Sequence, residues 1–227
     1  MEITKAVLVL ADIGGYTRFI KMHETSLVHA ERIITDLLES VISNAEFPLT
    51  LNKLEGDAAL FYAPAAQNTA AVLRSAFQQA EGFFWAFHKK RDELEKVQAC
   101  PCDACTGVGK LRIKAILHYG EVAVKQVRQF QELAGTSVII AHRLLKNSVQ
   151  HPEYILVTEA MEQAAGKLRP TGGTRMDEDC EGIGKVAVVA YEPPKGEPPL
   201  PVYRTSAVKR WARRFQIFSY QFLRALG

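Results

Sequence analysis

The chain has 227 residues, of which 48% are hydrophobic and 23% are charged. This balance suits one large domain with its own apolar core, and it excludes a disordered chain and a small disulfide-stapled scaffold. No apolar run of about 18 residues occurs, and the first residues lack the basic-then-apolar layout of a signal peptide. We therefore expect a cytoplasmic protein.

The formal net charge of +3 hides an uneven distribution of charged residues. Six basic residues and no acidic residue lie between Arg204 and Gly227, and the rest of the chain holds 22 basic against 25 acidic residues. The main domain is therefore mildly acidic, which is not the charge pattern of a nucleic-acid-binding surface. We expect no nucleic-acid partner.

The first predicted elements are a strand, a helix and a hairpin. The apolar run at residues 6–11 (AVLVLA) predicts a strand buried on both faces, and it ends at Asp12 before a glycine pair that permits a tight turn. An apolar stripe at helical spacing follows over residues 28–42. Residues 49–63 predict a hairpin with Glu55-Gly56-Asp57 at its tip, because two β-prone runs flank that tripeptide.

The second half of the domain predicts further helices and strands. Residues 68–96 lack proline and predict a long helix, and residues 111–127 predict a strand pair that turns at Tyr119-Gly120. The remaining elements alternate helix with strand over residues 135–147, 154–158, 159–167 and 184–191. The order βαββαβ, followed by an αβαβ extension, predicts an α+β fold, a ferredoxin-like sandwich of one sheet covered by helices.

The predicted domain covers residues 1–192, and the sequence after it has a different composition. Five prolines predict a stiff linker over residues 193–203. Residues 204–227 predict a basic amphipathic helix, because their apolar positions recur every three or four residues. Three readings of this segment stay open: a helix packed on the domain or a dimer partner, peripheral contact with an anionic membrane surface, or a disordered appendage.

Two carboxylates are placed to share a cation. Asp12 ends a buried strand and Asp57 lies at a hairpin tip, so both acids meet at one sheet edge if their strands are neighbours. Paired carboxylates at such a position hold Mg²⁺ or Mn²⁺. Backbone N–H groups of the turn Gly14-Gly15-Tyr16-Thr17 are placed to receive phosphate oxygens. The alternative is that one Asp caps a helix and the other supplies a turn.

Four segments together resemble the class III nucleotide cyclase domains. In chain order they are residues 11–19 (ADIGGYTRF), 53–57 (KLEGD), 117–122 (LHYGEV) and 135–144 (GTSVIIAHRL). The resemblance covers about residues 5–191, and more narrowly the chain is similar to an uncharacterised bacterial branch that carries a CxCxxC insert. It implies the cyclase-type fold and a homodimer whose active site forms between two chains.

The resemblance implies a role for each matching residue. Asp12 and Asp57, with the Ile13 carbonyl, would bind two divalent ions that activate the ribose 3′-hydroxyl for in-line attack on the α-phosphorus and expulsion of pyrophosphate. Lys53 falls where family members read the purine edge, and Glu132 falls where an acid accepts from the adenine amino group. This pair favours adenine over guanine.

Two further residues complete the implied site, and one departs from the family pattern. Arg143 falls where an Arg stabilises the pentavalent transition state, and Lys185 where a Lys holds the terminal phosphates. Ile139 stands where the family usually has an Asn that orients the ribose, and loss of such a donor costs about 100-fold or more in rate. Metal and nucleotide binding are therefore better indicated than efficient cyclisation.

Two functions stay open from the sequence. The first is a divergent cyclase that converts ATP to cyclic AMP and pyrophosphate in a metal-dependent reaction, or the degenerate relic of one. The second is a non-catalytic module that binds nucleotide and metal and serves signalling or interaction. Ile139 favours the second, whereas Asp12, Asp57, Lys53 and Arg143 favour the first.

The cysteines predict a second metal site. Cys100, Cys102 and Cys105 form a dense C-x-C-x-x-C cluster, and Cys180 is the only other thiol of the chain. Tetrahedral Zn²⁺ needs four ligands, so a Cys₄ zinc site formed by these residues is one hypothesis. A redox-responsive loop and inert thiols are the alternatives.

Overall fold

The computed structural model describes residues 1–22, 27–96, 102–169 and 172–193. The predicted tail helix and nearly all of the predicted linker lie outside the described residues, as does Cys100. The first half of the fold consists of β1 (Glu2–Gly14), α1 (Tyr16–Met22), α2 (Leu27–Asn44), β2 (Thr50–Glu55), β3 (Ala58–Pro64) and α3 (Thr69–Lys96). The second half consists of α4 (Asp103–Gly107), β4 (Arg112–Val127), β5 (Phe130–Ala134), α5 (Thr136–Arg143), β6 (Ile155–Thr158), α6 (Glu159–Ala165), β7 (Thr174–Cys180) and β8 (Gly184–Tyr191).

One mixed sheet organises the described residues. Its strand order is β2-β3-β1-β4-β6-β8-β7, and β5 pairs with β4 beside this path. Neighbouring strands are antiparallel except β4 and β6, which are parallel. This arrangement confirms the predicted α+β class.

The sheet separates two apolar cores. Because side chains alternate along a strand, β1 contributes Val7 and Val9 to one face and Leu8 and Leu10 to the other. Helices α2, α3, α4 and α6 cover the first face, and α5 covers the second. Every residue from Ala6 to Ala11 is at most 1% exposed. The prediction of a strand buried on both faces is therefore confirmed.

The predicted strand pair over residues 111–127 is wrong, because this segment is one strand. β4 stays paired with β1 on both sides of the supposed turn, with Tyr119 opposite Val7 and Gly120 opposite Ala6. Gly120 does not form a turn. It allows α5 to pack closely against β4, since a Cβ atom at this position would lie 2.3 Å from the Ser137 hydroxyl oxygen on α5. The true turn follows β4 and leads into β5, which the sequence analysis did not predict.

A second strand, β7, was also missed. Its sequence is TRMDEDC, and it pairs with β8 at the outer edge of the sheet. Edge strands often carry charged side chains, so their apolar alternation is weak. Among the described helices, none combines the length and the apolar character that crossing a membrane requires.

Candidate functional site

The fold places Asp12 and Asp57 side by side. Asp12 lies opposite Ala58 in the β1–β3 ladder, and the backbone N–H of Ile13 donates to the Asp57 carbonyl oxygen at 3.1 Å. Gly56 allows the tight β2–β3 turn because its φ of 64° suits a residue without a side chain. The end of β1 and the hairpin tip therefore meet at one edge of the sheet.

The charges of this carboxylate pair are incompletely balanced. Burial and then the negative charge of Asp12 raise the pKa of Asp57 to about 6, although a backbone hydrogen bond and Lys114 act in the opposite direction. Lys114 Nζ lies 3.1 Å from Asp12 Oδ2 and also donates to the Leu145 carbonyl oxygen. Two carboxylates and one ammonium group together have one net negative charge. Carboxylate oxygens are the ligands that Mg²⁺ and Mn²⁺ prefer. The donor set therefore fits a hard divalent cation.

The glycine turn after Asp12 leads directly into α1. Gly15 has a φ of 92°, and its carbonyl oxygen accepts from the Phe19 N–H at 2.8 Å. The Tyr16 hydroxyl donates to Glu31 of α2 at 3.0 Å. Burial first, then Glu31, and finally the charge of Asp57 raise the pKa of Tyr16. The turn residues Gly14, Gly15, Tyr16 and Thr17 thus adjoin the carboxylate pair.

A second group forms around Lys53 and Glu132, which are 79 positions apart in the chain. Lys53 Nζ lies 3.4 Å from Glu132 on β5 and 3.2 Å from Glu55 on its own strand. Nearby, the Asn52 amide donates to the Gln131 carbonyl oxygen, which fastens β2 to β5. Burial opposes the charge of Lys53, but the two carboxylates outweigh it and raise the pKa of Lys53.

His142 extends this group from α5. Its Nε2 lies 2.7 Å from Glu55 Oε2, and its Nδ1 lies 2.7 Å from the Val138 carbonyl oxygen. Both neighbours are acceptors, so only the doubly protonated ring donates to both at once. Glu55 is a site residue that the sequence motifs did not indicate. Its two-residue spacing from Lys53 puts both side chains on the same face of a strand, and this was the signal available.

Three other predicted residues stay apart from both groups. Arg143 donates to the exposed Glu181 at 2.8 Å, and Ile139 lies one turn earlier on α5 with 49% of its surface exposed. Lys185 lies opposite Asp179 in the β7–β8 hairpin. Within the described part of the chain, no hydrogen bond or ion pair joins these three residues to the carboxylate pair or to the Lys53 group.

The predicted Cys₄ site requires a correction. Cys102 and Cys105 pack against the core on the α2–α3 face of the sheet, whereas Cys180 is buried in the core on the α5 face. The sheet lies between them, so Cys180 is not a ligand of the same ion. His29 of α2 approaches Cys102 and Cys105 instead.

The architecture is that of class III nucleotide cyclase domains. The guanylyl cyclase Cya2 aligns with a TM-score of 0.62 at 15% sequence identity, over 91% of this chain and 98% of that one. The adenylyl cyclase CyaB from Pseudomonas aeruginosa aligns with a TM-score of 0.59 at 14% identity, over 84% and 95% of the two chains. The resemblance that the sequence motifs indicated is therefore confirmed as a shared fold.

Within this fold, the chain belongs to the family described as protein of unknown function (DUF2652), which matches residues 34–154. The uncharacterized protein Rv2561/Rv2562 of Mycobacterium tuberculosis is 37% identical over 154 residues, which are 68% of this chain and 70% of the relative. The family match includes Lys53, Asp57, Glu132 and Arg143, and it begins after Asp12.

Proposed function

We propose that this chain is a divergent nucleotide cyclase that binds ATP with divalent cations and forms cyclic AMP and pyrophosphate. The observation that carries the proposal is the assembly of two residue pairs from distant segments. Asp12 and Asp57 meet where β1 and the β2–β3 turn end, and Lys53 and Glu132 meet where β2 faces β5. Carboxylates are preferred ligands of hard divalent cations, and a Lys with a Glu offers the donor and the acceptor that complement adenine.

In this proposal, the carboxylate pair and the Ile13 carbonyl hold Mg²⁺ or Mn²⁺. Such ions lower the pKa of the ribose 3′-hydroxyl and offset the charge of the triphosphate. Lys114 supports the site by neutralising part of the charge of Asp12. The glycine turn gives phosphate oxygens close access to backbone N–H groups, since Gly14 and Gly15 have no side chain.

Lys53 and Glu132 select the base. Adenine presents an amino donor beside a ring acceptor, so the Glu132 carboxylate accepts from the amino group while the Lys53 ammonium donates to the ring nitrogen. About a third of each side chain is exposed, and a base can therefore reach both. Glu55 keeps Lys53 in place when Glu132 turns to the base. A guanylyl cyclase and an adenylyl cyclase share this fold, so the fold alone does not select the base. In this proposal, Lys53 and Glu132 therefore select adenine.

The two pairs belong to separate groups, and this separation supports a homodimer in which the carboxylates of one chain face the base-reading pair of its partner. Arg143 acts at the developing charge on the phosphate. Its present contact with Glu181 is an exposed ion pair, and such pairs contribute little to stability. Arg143 is therefore available to a triphosphate, and Lys185 reaches the terminal phosphates.

A second candidate function is a module that binds ATP without turnover. Ile139 favours it, because this exposed apolar side chain lies one turn before Arg143 and has no donor for the ribose. Nucleotide affinity would then remain, while the rate of cyclisation would fall. The same experiment distinguishes the two candidates.

The test is to incubate the purified full chain with Mn²⁺ and ATP or GTP, and to measure bound nucleotide and cyclic product. We expect cyclic AMP from the wild type, none from Asp57→Ala, and wild-type levels from Asp177→Ala, a matched control at an exposed position on β7. Binding without product would support the second candidate. Product that persists in Asp57→Ala, or neither binding nor product in the wild type, would contradict the cyclase proposal.

A further inference from the structure

A cluster of metal-ligating side chains lies apart from the candidate nucleotide site. His29 lies in the first turn of α2, Cys102 immediately precedes α4, and Cys105 lies within α4. Each offers one ligand atom, and the three atoms lie within 4.8 Å of one another. His29 and Cys102 are 73 positions apart, so tertiary packing and not local sequence creates this cluster.

The spacing of the cluster suits a single tetrahedral ion. Cys102 Sγ lies 3.6 Å from His29 Nδ1. With Zn–S and Zn–N bonds of about 2.3 and 2.0 Å, sulfur and nitrogen ligands of one tetrahedral zinc ion lie about 3.5 Å apart. Two zinc-bound sulfurs lie about 3.8 Å apart on the same geometry. Since the three ligand atoms lie within 4.8 Å of one another, each pair needs to close by at most about 1.3 Å.

The ligand types select the metal. Mg²⁺ and Ca²⁺ take oxygen ligands, whereas two thiolates and one imidazole suit zinc. Cys102 and Cys105 are partly buried and His29 is exposed, so the ligands can be reached from solvent while the thiol side of the cluster rests on the core.

We propose that His29, Cys102 and Cys105 supply three of the four ligands of one zinc ion that fastens α4 to the start of α2. This assignment replaces Cys180 of the sequence-based hypothesis by His29. Cys100 lies outside the described residues, and the proposal does not depend on it. The zinc site uses no residue of the candidate nucleotide site. Its test is therefore independent of the proposed function.

The position of the cluster indicates a structural role. Helix α4 has five residues, too few to be stable alone, yet it contributes the fully buried Ala104 to the core. Glu31, two residues after His29, accepts from the Tyr16 hydroxyl and so ties α2 to α1. A zinc ion at this point stabilises the packing of α4 and the first turn of α2, and through α2 it supports the turn after Asp12.

The experiment measures metal in the full chain without nucleotide. We expect about one zinc ion per chain by elemental analysis, and Co²⁺ substitution should produce thiolate-to-cobalt charge-transfer absorption with the visible bands of a tetrahedral site. His29→Gln and Cys105→Ser should each weaken zinc affinity by at least about 100-fold. Cys180→Ala, a matched cysteine control, and Asp57→Asn, which removes a ligand of the other site, should both retain zinc.

Chelation of the wild type provides a readout that does not depend on the variants folding. Removal of zinc should lower the thermal midpoint, and readdition should restore it. Any of three results would overturn the proposal: a zinc-reconstituted chain with almost no metal, a cobalt form without thiolate bands, or zinc that survives His29→Gln but is lost in Cys180→Ala. Loss of ATP binding in Asp57→Asn with zinc retained would show that the two sites are separate.

Discussion

At the scale of single residues, Lys53 is the proposed base-recognition group of the candidate site. It lies between Glu55 and Glu132, and Glu55 is in turn bound by His142 of α5. This chain of contacts orients the ammonium group from three elements. Preorganisation of this kind lowers the cost of ordering a long side chain when a base binds.

Removal of the Glu132 carboxylate tests base selection. Glu132→Ala should reduce affinity for ATP by roughly 10- to 100-fold and leave affinity for GTP nearly unchanged, because only adenine loses a charged hydrogen-bond acceptor. Calorimetric titration with both nucleotides in the presence of Mg²⁺ measures the ratio. Glu121→Ala, at an exposed position on β4, is the matched control. Equal losses for ATP and GTP would argue against base reading by Glu132.

At the scale of elements, β4 is the middle strand of the sheet and positions the strands beside it. It pairs with β1 along its length, with β5 near its end and with β6 on the other side. Helix α5 lies across it at Gly120, where Ser137 approaches. Since α5 also carries His142 and Arg143, the close packing at Gly120 sets where these side chains lie.

This packing gives a stability prediction. Gly120→Ala should lower the free energy of unfolding by about 1–3 kcal/mol, because its Cβ would lie 2.3 Å from Ser137 Oγ and 3.0 Å from His118 Nε2. Urea denaturation measures the change. Gly172→Ala, where a Cβ meets nothing within 4 Å, should not destabilise the protein. Ser137→Ala should recover part of the loss in Gly120→Ala, and no recovery would mean that the Ser137 hydroxyl is not the obstacle.

At the scale of the whole molecule, the described domain holds two separate groups of candidate residues, which the proposed function treats as half-sites. The carboxylate pair lies at the end of β1, and the Lys53 group lies where β2, β5 and α5 meet. In the proposed function, one group binds the triphosphate and the other binds the base. A twofold dimer would place each half-site against its complement, and one self-complementary interface would build two sites.

A mixing experiment tests this arrangement. Asp57→Ala and Lys53→Ala should each be inactive alone, and after mixing and subunit exchange they should recover up to about a quarter of the wild-type rate. Half of the dimers would then be mixed, and each would contain one intact site. Cyclic AMP formation is the measurement, with mixed Asp57→Ala preparations as the control. Failure to recover activity despite exchange would place both halves of the site in one chain.

Local patterns in the sequence determined much of this protein. The apolar run of β1, the hairpin with Asp57 at its tip, the long α3 and the strand at residues 184–191 follow from side-chain periodicity and turn chemistry. The order of four short motifs was enough to indicate the cyclase fold. The roles assigned to the site residues stay predictions until they are measured.

Tertiary structure alone decided the features that depend on contacts between distant segments. Gly120 is typical of a turn in sequence, but the pairing of β4 with β1 continues through it, so β4 is one strand. His29 joins Cys102 and Cys105, while the sheet separates Cys180 from them. Sequence spacing measures separation along the chain, whereas ligand sets and close packing depend on separation in space, which is set only when the sheet and its helices have assembled.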